Sequence, residues 1–101
     1  MSDKITLMYM FFSDVEADSD EEAFKKTRPI FRSCQRFSKS IGVNFMFDIC
    51  IAFEGSAEFR VVFDVKGTEY SVLEKVAILF NFAALHKFRF GNQFYYPEKE
   101  A

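Results

Sequence analysis

The sequence is poor in the residues that most often carry chemistry. It has no tryptophan, one histidine and two cysteines among 101 residues. Cys34 and Cys50 are too few for a disulfide framework or a cysteine metal site, so we expect a reduced chain in the cytoplasm. His86 lies near the end of a predicted helix, and no nucleophile motif surrounds it. Phosphate-binding loops and dinucleotide fingerprints are also missing. We therefore expect no enzyme, no cofactor and no metal.

Long hydrophobic runs are missing as well. The longest apolar stretch, residues 76–85, is interrupted by Asn81 and is about half of what a bilayer requires. The N-terminus lacks a basic region followed by an apolar run and a cleavage site, so no signal peptide is predicted. We expect a chain that does not enter a membrane.

Phenylalanine is abundant by comparison. Fifteen Phe residues stand in a chain that is 50% hydrophobic, which excludes a disordered protein and predicts a core of aromatic rings. The length suits one domain over 1–101, with 1–3 and 97–101 expected to fray.

Two stretches alternate apolar and polar residues, as strands with one buried face do. The first runs from Val43 to Glu54 and the second from Glu58 to Lys66. A loop of about three or five residues would pair their apolar positions, so we expect an antiparallel hairpin in that register. Residues 5–12 predict a central strand, with Thr6, Met8, Met10 and Phe12 on its second face. Residues 88–96 predict either one edge strand or a small hairpin at Gly91-Asn92.

Two helices separate these strands. The first is expected from Ser19, which forms a capping box with Glu22, to Ile41 before Gly42, with a kink or a break at Pro29. The second is expected from Ser71, in a capping box with Glu74, to about His86. The order β-α-β-β-α-β predicts a ferredoxin-like α+β sandwich, with a four-stranded sheet and both helices on one face.

Charge is distributed unevenly along the chain. Residues 14–22 hold six carboxylates and no base, whereas residues 23–47 hold six bases and no acid. The acidic residues alternate as in a calcium loop, but the glycine and the final glutamate of that motif are missing. We expect them to engage a basic protein surface instead. They are Asp14, Glu16, Asp18, Asp20 and Glu21.

Five cations fall within roughly 80° on one side of the first helix. They are Lys25, Arg28, Arg32, Arg36 and Lys39. Such a stripe could bind a phosphate backbone. The ribonucleoprotein octapeptide of RNA-recognition domains is not present on the third strand, so a solvated helix face is the simpler interpretation. Nucleic-acid binding stays the alternative function.

The sequence also has more apolar residues than one small domain readily covers. Met8 and Met10 lie on the second face of the first strand, and a stripe opposite the core of the second helix comprises Ile78, Phe82 and Leu85. The C-terminal Phe-Tyr-Tyr segment could cover one of these patches; a partner or a homodimer is the preferred interpretation. We expect a small non-enzymatic protein-binding module that acts as an inhibitor of the immunity-protein or phage anti-defence kind.

Overall fold

A computed structural model describes residues 4–51 and 54–95 of the chain. The elements are β1 (Lys4–Glu16), α1 (Asp20–Ile41), β2 (Asn44–Ile51), β3 (Ser56–Thr68), α2 (Glu69–Leu85) and β4 (Arg89–Tyr95). The strands form one antiparallel sheet in the order β2-β3-β1-β4. Both helices pack on one face of this sheet, so the predicted ferredoxin-like sandwich is confirmed. Phe53, Tyr96 and the chain ends that were expected to fray lie outside the described residues.

The predicted register of the hairpin is confirmed. Phe45 lies opposite Phe63, Phe47 opposite Val61 and Ile49 opposite Phe59. Pairing apolar with apolar residues places all of these rings and branched side chains on the face below the helices. The C-terminal segment is one edge strand with a bulge between the pairs at Met10 and Phe11, so no small hairpin forms at Gly91-Asn92.

Strand β1 is longer than the period-two pattern indicates. It continues to Glu16, because Asp14, Val15 and Glu16 pair with Glu58, Ala57 and Ser56 of β3. Val15 packs beside the small cluster of Ala17, Ala23 and Ala57. Asp14 and Glu16, the first two residues of the predicted acidic segment, therefore belong to the end of a strand and not to a loop.

Helix α1 has the predicted ends and is not split at Pro29. The Ser19 hydroxyl accepts a hydrogen bond from the Glu22 amide, and Gly42 ends the helix with a left-handed φ of 70°. The second half of the box differs in detail, because the Glu22 carboxylate accepts from the Asp18 amide at 3.4 Å.

Helix α2 begins two residues before the predicted start. Thr68 is its N-cap and accepts from the Ser71 amide at 3.4 Å, so the capping box predicted for Ser71 and Glu74 is wrong. The physical reason lies at the end of β3, which leads directly into the helix. Gly67 has a φ of 149°, and a Cβ there would stand 2.4 Å from the Ser71 hydroxyl. This glycine lets the chain leave β3 and enter the helix without a longer loop.

Aromatic rings build the core, as the composition predicts. Phe63 is fully buried and its ring lies 5.7 Å from that of Phe37, 6.1 Å from Phe45 and 6.1 Å from Phe82. Phe82 also stacks on Phe37 at 4.1 Å. The prediction that Phe82 faces away from the core is therefore wrong, because this ring fills the space between the two helices.

Candidate protein-binding site

The acidic residues gather at one end of the molecule, which we call the acidic end. Asp14 and Glu16 lie at the end of β1, Asp18 lies in the connection, and Asp20 and Glu21 open α1. All five of these predicted residues are exposed. The structure thus places them close together although they belong to three different parts of the fold.

The turn between β2 and β3 adds carboxylates that the sequence pattern did not assign to this site. The Ala17 amide donates to the Gly55 carbonyl at 2.7 Å, which ties the turn to the β1–α1 connection. Glu54 and Asp18 line the same shallow cavity of 430 Å³, and Glu58 lies opposite Asp14 in the sheet. Glu58 joins the acidic end through the register of β3 with β1, and Glu54 joins it through the contact of Gly55 with Ala17; neither is visible in the local sequence pattern.

Two cations partly neutralise the acidic end. Lys26 forms an ion pair with Glu22 at 2.9 Å and donates to the Glu16 carbonyl at 2.6 Å. Arg89 pairs with Asp14 at 2.8 Å and lies 4.0 Å from Glu58. With Glu54 included, eight carboxylates of the described residues lie at the acidic end, more than the three cations beside them, Lys26, Arg89 and Arg60, which lies opposite Phe12. Such a surface attracts a basic partner and repels an acidic one.

The Glu22 carboxylate is held in its charged form. The hydrogen bond from Lys26 is the main reason that its pKa is lowered, and the Asp18 amide and the positive charge of Lys26 add to the effect. The acidic end therefore keeps this charge when the pH falls moderately below neutral.

The open face of the sheet, which the helices do not cover, carries an apolar band beside the acidic end. Met10 lies opposite Val62, and Val62 lies opposite Met46, whose side chain is 61% exposed. Met8 and Phe94 form a neighbouring pair. Phe12 continues the band toward the acidic end, where the Arg89 guanidinium lies 4.3 Å from its ring. The prediction that Met8 and Met10 lie on this second face is confirmed.

The second predicted apolar patch is only partly present. Ile78 and Leu85 are exposed by 45% and 81%, whereas Phe82 packs between the helices. The apolar pattern of α2 also predicts that Leu73 and Phe80 lie on its buried side. Leu73 is 65% exposed, so that prediction is wrong for it. The Phe80 ring, although 37% exposed, packs 5.6 Å from that of Tyr9 and 5.4 Å from that of Phe11. The exposed apolar surface of α2 therefore extends to the side that faces β4.

The basic stripe is exposed along α1, as its spacing predicts. In the described part of the chain none of its five cations forms an ion pair, and Arg36 donates to the Ser33 hydroxyl at 3.4 Å. Arg28 also lines a groove of 510 Å³ between α1 and β2, together with Phe24, Phe31 and Phe47. The stripe stays available for an anionic ligand.

The metal-ligating and nucleophilic side chains of the described residues are arranged as follows. No group of three or more His, Cys, Asp or Glu side chains in residues 4–51 and 54–95 could hold a metal ion. Cys34 is fully buried, and burial raises the pKa of its thiol to about 12. The His86 ring packs against those of Phe82 and Phe88 at 4.5 and 5.5 Å.

Comparison of the chain with protein-family models, with curated proteins and with solved structures gives no match. Among the described residues, neither helix combines the length and the hydropathy that crossing a bilayer demands. The functional argument therefore depends on the surfaces described above.

Proposed function

We propose that this chain is a non-enzymatic module that binds a basic surface of another protein and inhibits that protein by covering it. Small immunity proteins and phage anti-defence proteins act in this way. The observation that carries the proposal is the acidic end, where the ends of β1 and β3, two loops and the first turn of α1 bring eight carboxylates together. Charges arranged in this way accelerate encounter with an oppositely charged partner.

The apolar band on the sheet supplies the other half of the proposed binding surface. Charged rims give association rate and orientation, whereas buried apolar and aromatic side chains give most of the affinity. Phe12 and Arg89 connect the two parts, because Arg89 contacts the Phe12 ring and the Asp14 carboxylate at once. Methionines such as Met8 and Met46 adapt to the shape of a partner.

The proposal is tested by capture of proteins from a nuclease-treated lysate of the native source on the immobilised chain. The variant Asp18→Asn/Glu21→Gln removes two charges from the acidic end. The matched control Glu69→Gln/Glu74→Gln removes two charges from α2, and Glu69 lies in a first helical turn as Glu21 does. We expect the acidic-end variant to recover several-fold less of a stoichiometric protein than the wild type or the control. Equal recovery by the two variants would contradict the proposal.

Nucleic-acid binding is a second candidate, favoured by the unpaired cations of α1. If all five contacted phosphates of a DNA duplex, log affinity would fall against log salt with a slope of about −4.5. The variant Arg32→Glu/Arg36→Glu would then abolish binding to a labelled duplex in fluorescence anisotropy. The control Lys4→Glu/Lys87→Glu changes two exposed cations outside α1 and should have little effect.

A further inference from the structure

The groove between α1 and β2 lies outside the proposed protein-binding surface. Its volume is 510 Å³, and Phe24, Phe31 and Phe47 line it together with Arg28. Phe24 is 57% exposed and Phe31 is 36% exposed. Rings that reach solvent beside a cation form a surface on which a flat aromatic group can stack.

Strand β2 holds the Phe31 ring in place. The centre of this ring is 5.6 Å from that of Phe45 and 5.5 Å from that of Phe47. Phe24 lies two turns earlier on the same side of α1, because seven residues separate it from Phe31. The groove therefore presents two rings in a line along the helix, about 10 Å apart.

The basic stripe borders this line of rings. At 100° per residue, Arg28 lies about 40° from Phe24 around the helix and Arg32 about 80° from it. The buried residues Thr27 and Cys34 lie on the other side of the rings. Phe24 and Phe31 thus stand between the buried face of α1 and its exposed cations, so a ligand in the groove can contact rings and cations at once.

We propose that this groove binds single-stranded nucleic acid, with the phosphates along the basic stripe and bases stacked on Phe24 and Phe31. Proteins that bind single strands combine a positively charged track with exposed aromatic side chains, because every base has an aromatic face. Each nucleotide carries one negative charge and one flat ring, which is the pair of features that this side of α1 complements. The inference rests on the nucleic-acid binding given above as the second candidate function, and it names the ligand.

The position of the rings decides between single and double strands. In a duplex the bases stack on one another, so their faces are closed to a protein unless a nucleotide is flipped out. A duplex would therefore contact the cations of α1 alone. A single strand can turn its bases into the groove while its phosphates remain on the stripe.

The acidic residues near the groove fix where the strand lies. Asp48 lines the groove, but it stands opposite Arg60 of β3 in the sheet. The carboxylates of the first turn of α1 repel phosphates at that end of the helix. The strand therefore extends from Phe24 toward Lys39, away from the acidic end.

Fluorescence anisotropy tests the proposal with a labelled oligothymidylate of about 15 nucleotides, an oligouridylate of the same length and a matching DNA duplex. We expect the single strands to bind more tightly than the duplex. If all five cations contact phosphates, log affinity should fall against log salt with a slope of about −3.5. The tighter of the two single strands identifies DNA or RNA as the source of the ligand. Binding of the duplex as tight as that of both single strands would overturn the proposal.

Substitution of Phe24 tests the stacking. Phe24→Ala should weaken binding of the single strand at least about fivefold and have little effect on the duplex. Phe24→Tyr keeps a ring and should bind as the wild type does. The matched control Tyr70→Ala removes an exposed ring from α2 and should leave the affinity unchanged. Circular dichroism establishes that the variants are folded. An unchanged affinity of Phe24→Ala for the single strand would overturn the proposal.

Further variants separate a failure of this inference from a failure of the functions proposed above. Arg32→Glu/Arg36→Glu should abolish binding of single strand and duplex alike. If that variant fails to bind while Phe24→Ala binds as the wild type does, the stripe binds nucleic acid and only the stacking is wrong. Asp18→Asn/Glu21→Gln should not weaken binding of the single strand, since it alters the acidic end.

A labelled peptide of alternating glutamate and phenylalanine tests the other class of ligand that offers charge and rings. We expect it to bind more weakly than the single strand. A peptide that binds as tightly as the single strand, and loses affinity with Phe24→Ala, would identify a protein ligand and overturn the proposal.

Discussion

Phe63 shows how single residues hold this fold together. Its side chain is fully buried and its ring contacts rings from α1, α2 and β2. We predict that Phe63→Ala lowers the free energy of unfolding by about 3–5 kcal/mol, whereas Phe63→Leu, which keeps most of the volume, costs clearly less. Urea denaturation followed by circular dichroism measures both. A loss below about 1 kcal/mol for Phe63→Ala would contradict the aromatic core.

Cys34 should make the fold sensitive to alkaline pH. Burial raises the pKa of its thiol to about 12 in the folded chain, so between pH 9 and 12 the unfolded chain loses a proton that the folded chain keeps. The free energy of unfolding therefore falls as pH rises, by up to about 1.4 kcal/mol for each pH unit from this group. Tyr9, whose pKa is also raised by burial, acts in the same direction above its usual range.

The contribution of Cys34 can be separated from the others by substitution. Cys34→Ala should be less stable near neutral pH because of the cavity it leaves, but its stability should decline less steeply than that of the wild type between pH 9 and 11. Urea titrations at several pH values measure the slope. Parallel slopes for the two proteins would contradict the assignment.

At the scale of residues, the sequence predicts the sheet better than helix α2. Alternation with period two identified Val61 and Phe63 as buried, because a strand has only two faces. Helix α2 is apolar around most of its circumference, so the pattern could not tell which apolar side meets the sheet. Phe82 and Leu73 were misplaced for that reason.

Among the elements, α1 should depend measurably on its N-cap. Ser19→Ala removes the hydroxyl that accepts from the Glu22 amide at 3.2 Å and should cost about 1 kcal/mol of stability. Ser40→Ala is the control, since its exposed hydroxyl donates to the Phe37 carbonyl within the same helix. We expect urea midpoints that differ clearly between the two variants. If Ser40→Ala were as unstable as Ser19→Ala, the N-cap hydrogen bond would contribute no more to the free energy of unfolding than an ordinary exposed hydroxyl does.

The ends of the elements were predictable where a single local signal marks them. Ser19 and Gly42 delimit α1 as the sequence indicates. At the start of α2 two polar residues compete, and Thr68 becomes the cap because Gly67 allows a tight exit from β3. Strand β1 continues through Asp14 and Glu16, which have low strand propensity, because β3 offers a pairing partner.

At the scale of the whole molecule, a substitution of Arg89 should speed up binding at the acidic end, whereas the other variants should weaken it. Its guanidinium partly neutralises Asp14 and Glu58, so Arg89→Gln makes the acidic end more negative by one charge. We predict a faster association with a basic partner at low salt, by a few-fold, and a smaller difference at high salt. Stopped-flow kinetics with the captured protein measures the rate. Lys87→Gln is the control. If it raised the association rate as much as Arg89→Gln does, the effect would come from net charge and not from the acidic end.

The fold of the whole molecule could be predicted from the order of its elements, whereas the site could be predicted only in part. The carboxylates of residues 14–22 stand together in the sequence. Glu54 and Glu58 reach them through the register of β3 with β1 and through the contact of Gly55 with Ala17, and neither is a local property of the chain.

The most direct test of the proposed function is capture of partners on the immobilised wild-type chain from a lysate of its native source, with and without nuclease. We predict a protein that is retained in stoichiometric amount after nuclease treatment and is released by high salt, as expected for a basic surface bound to the acidic end. Loss of the captured material on nuclease treatment would contradict protein binding at the acidic end. It would favour nucleic-acid binding by the cations of α1 instead.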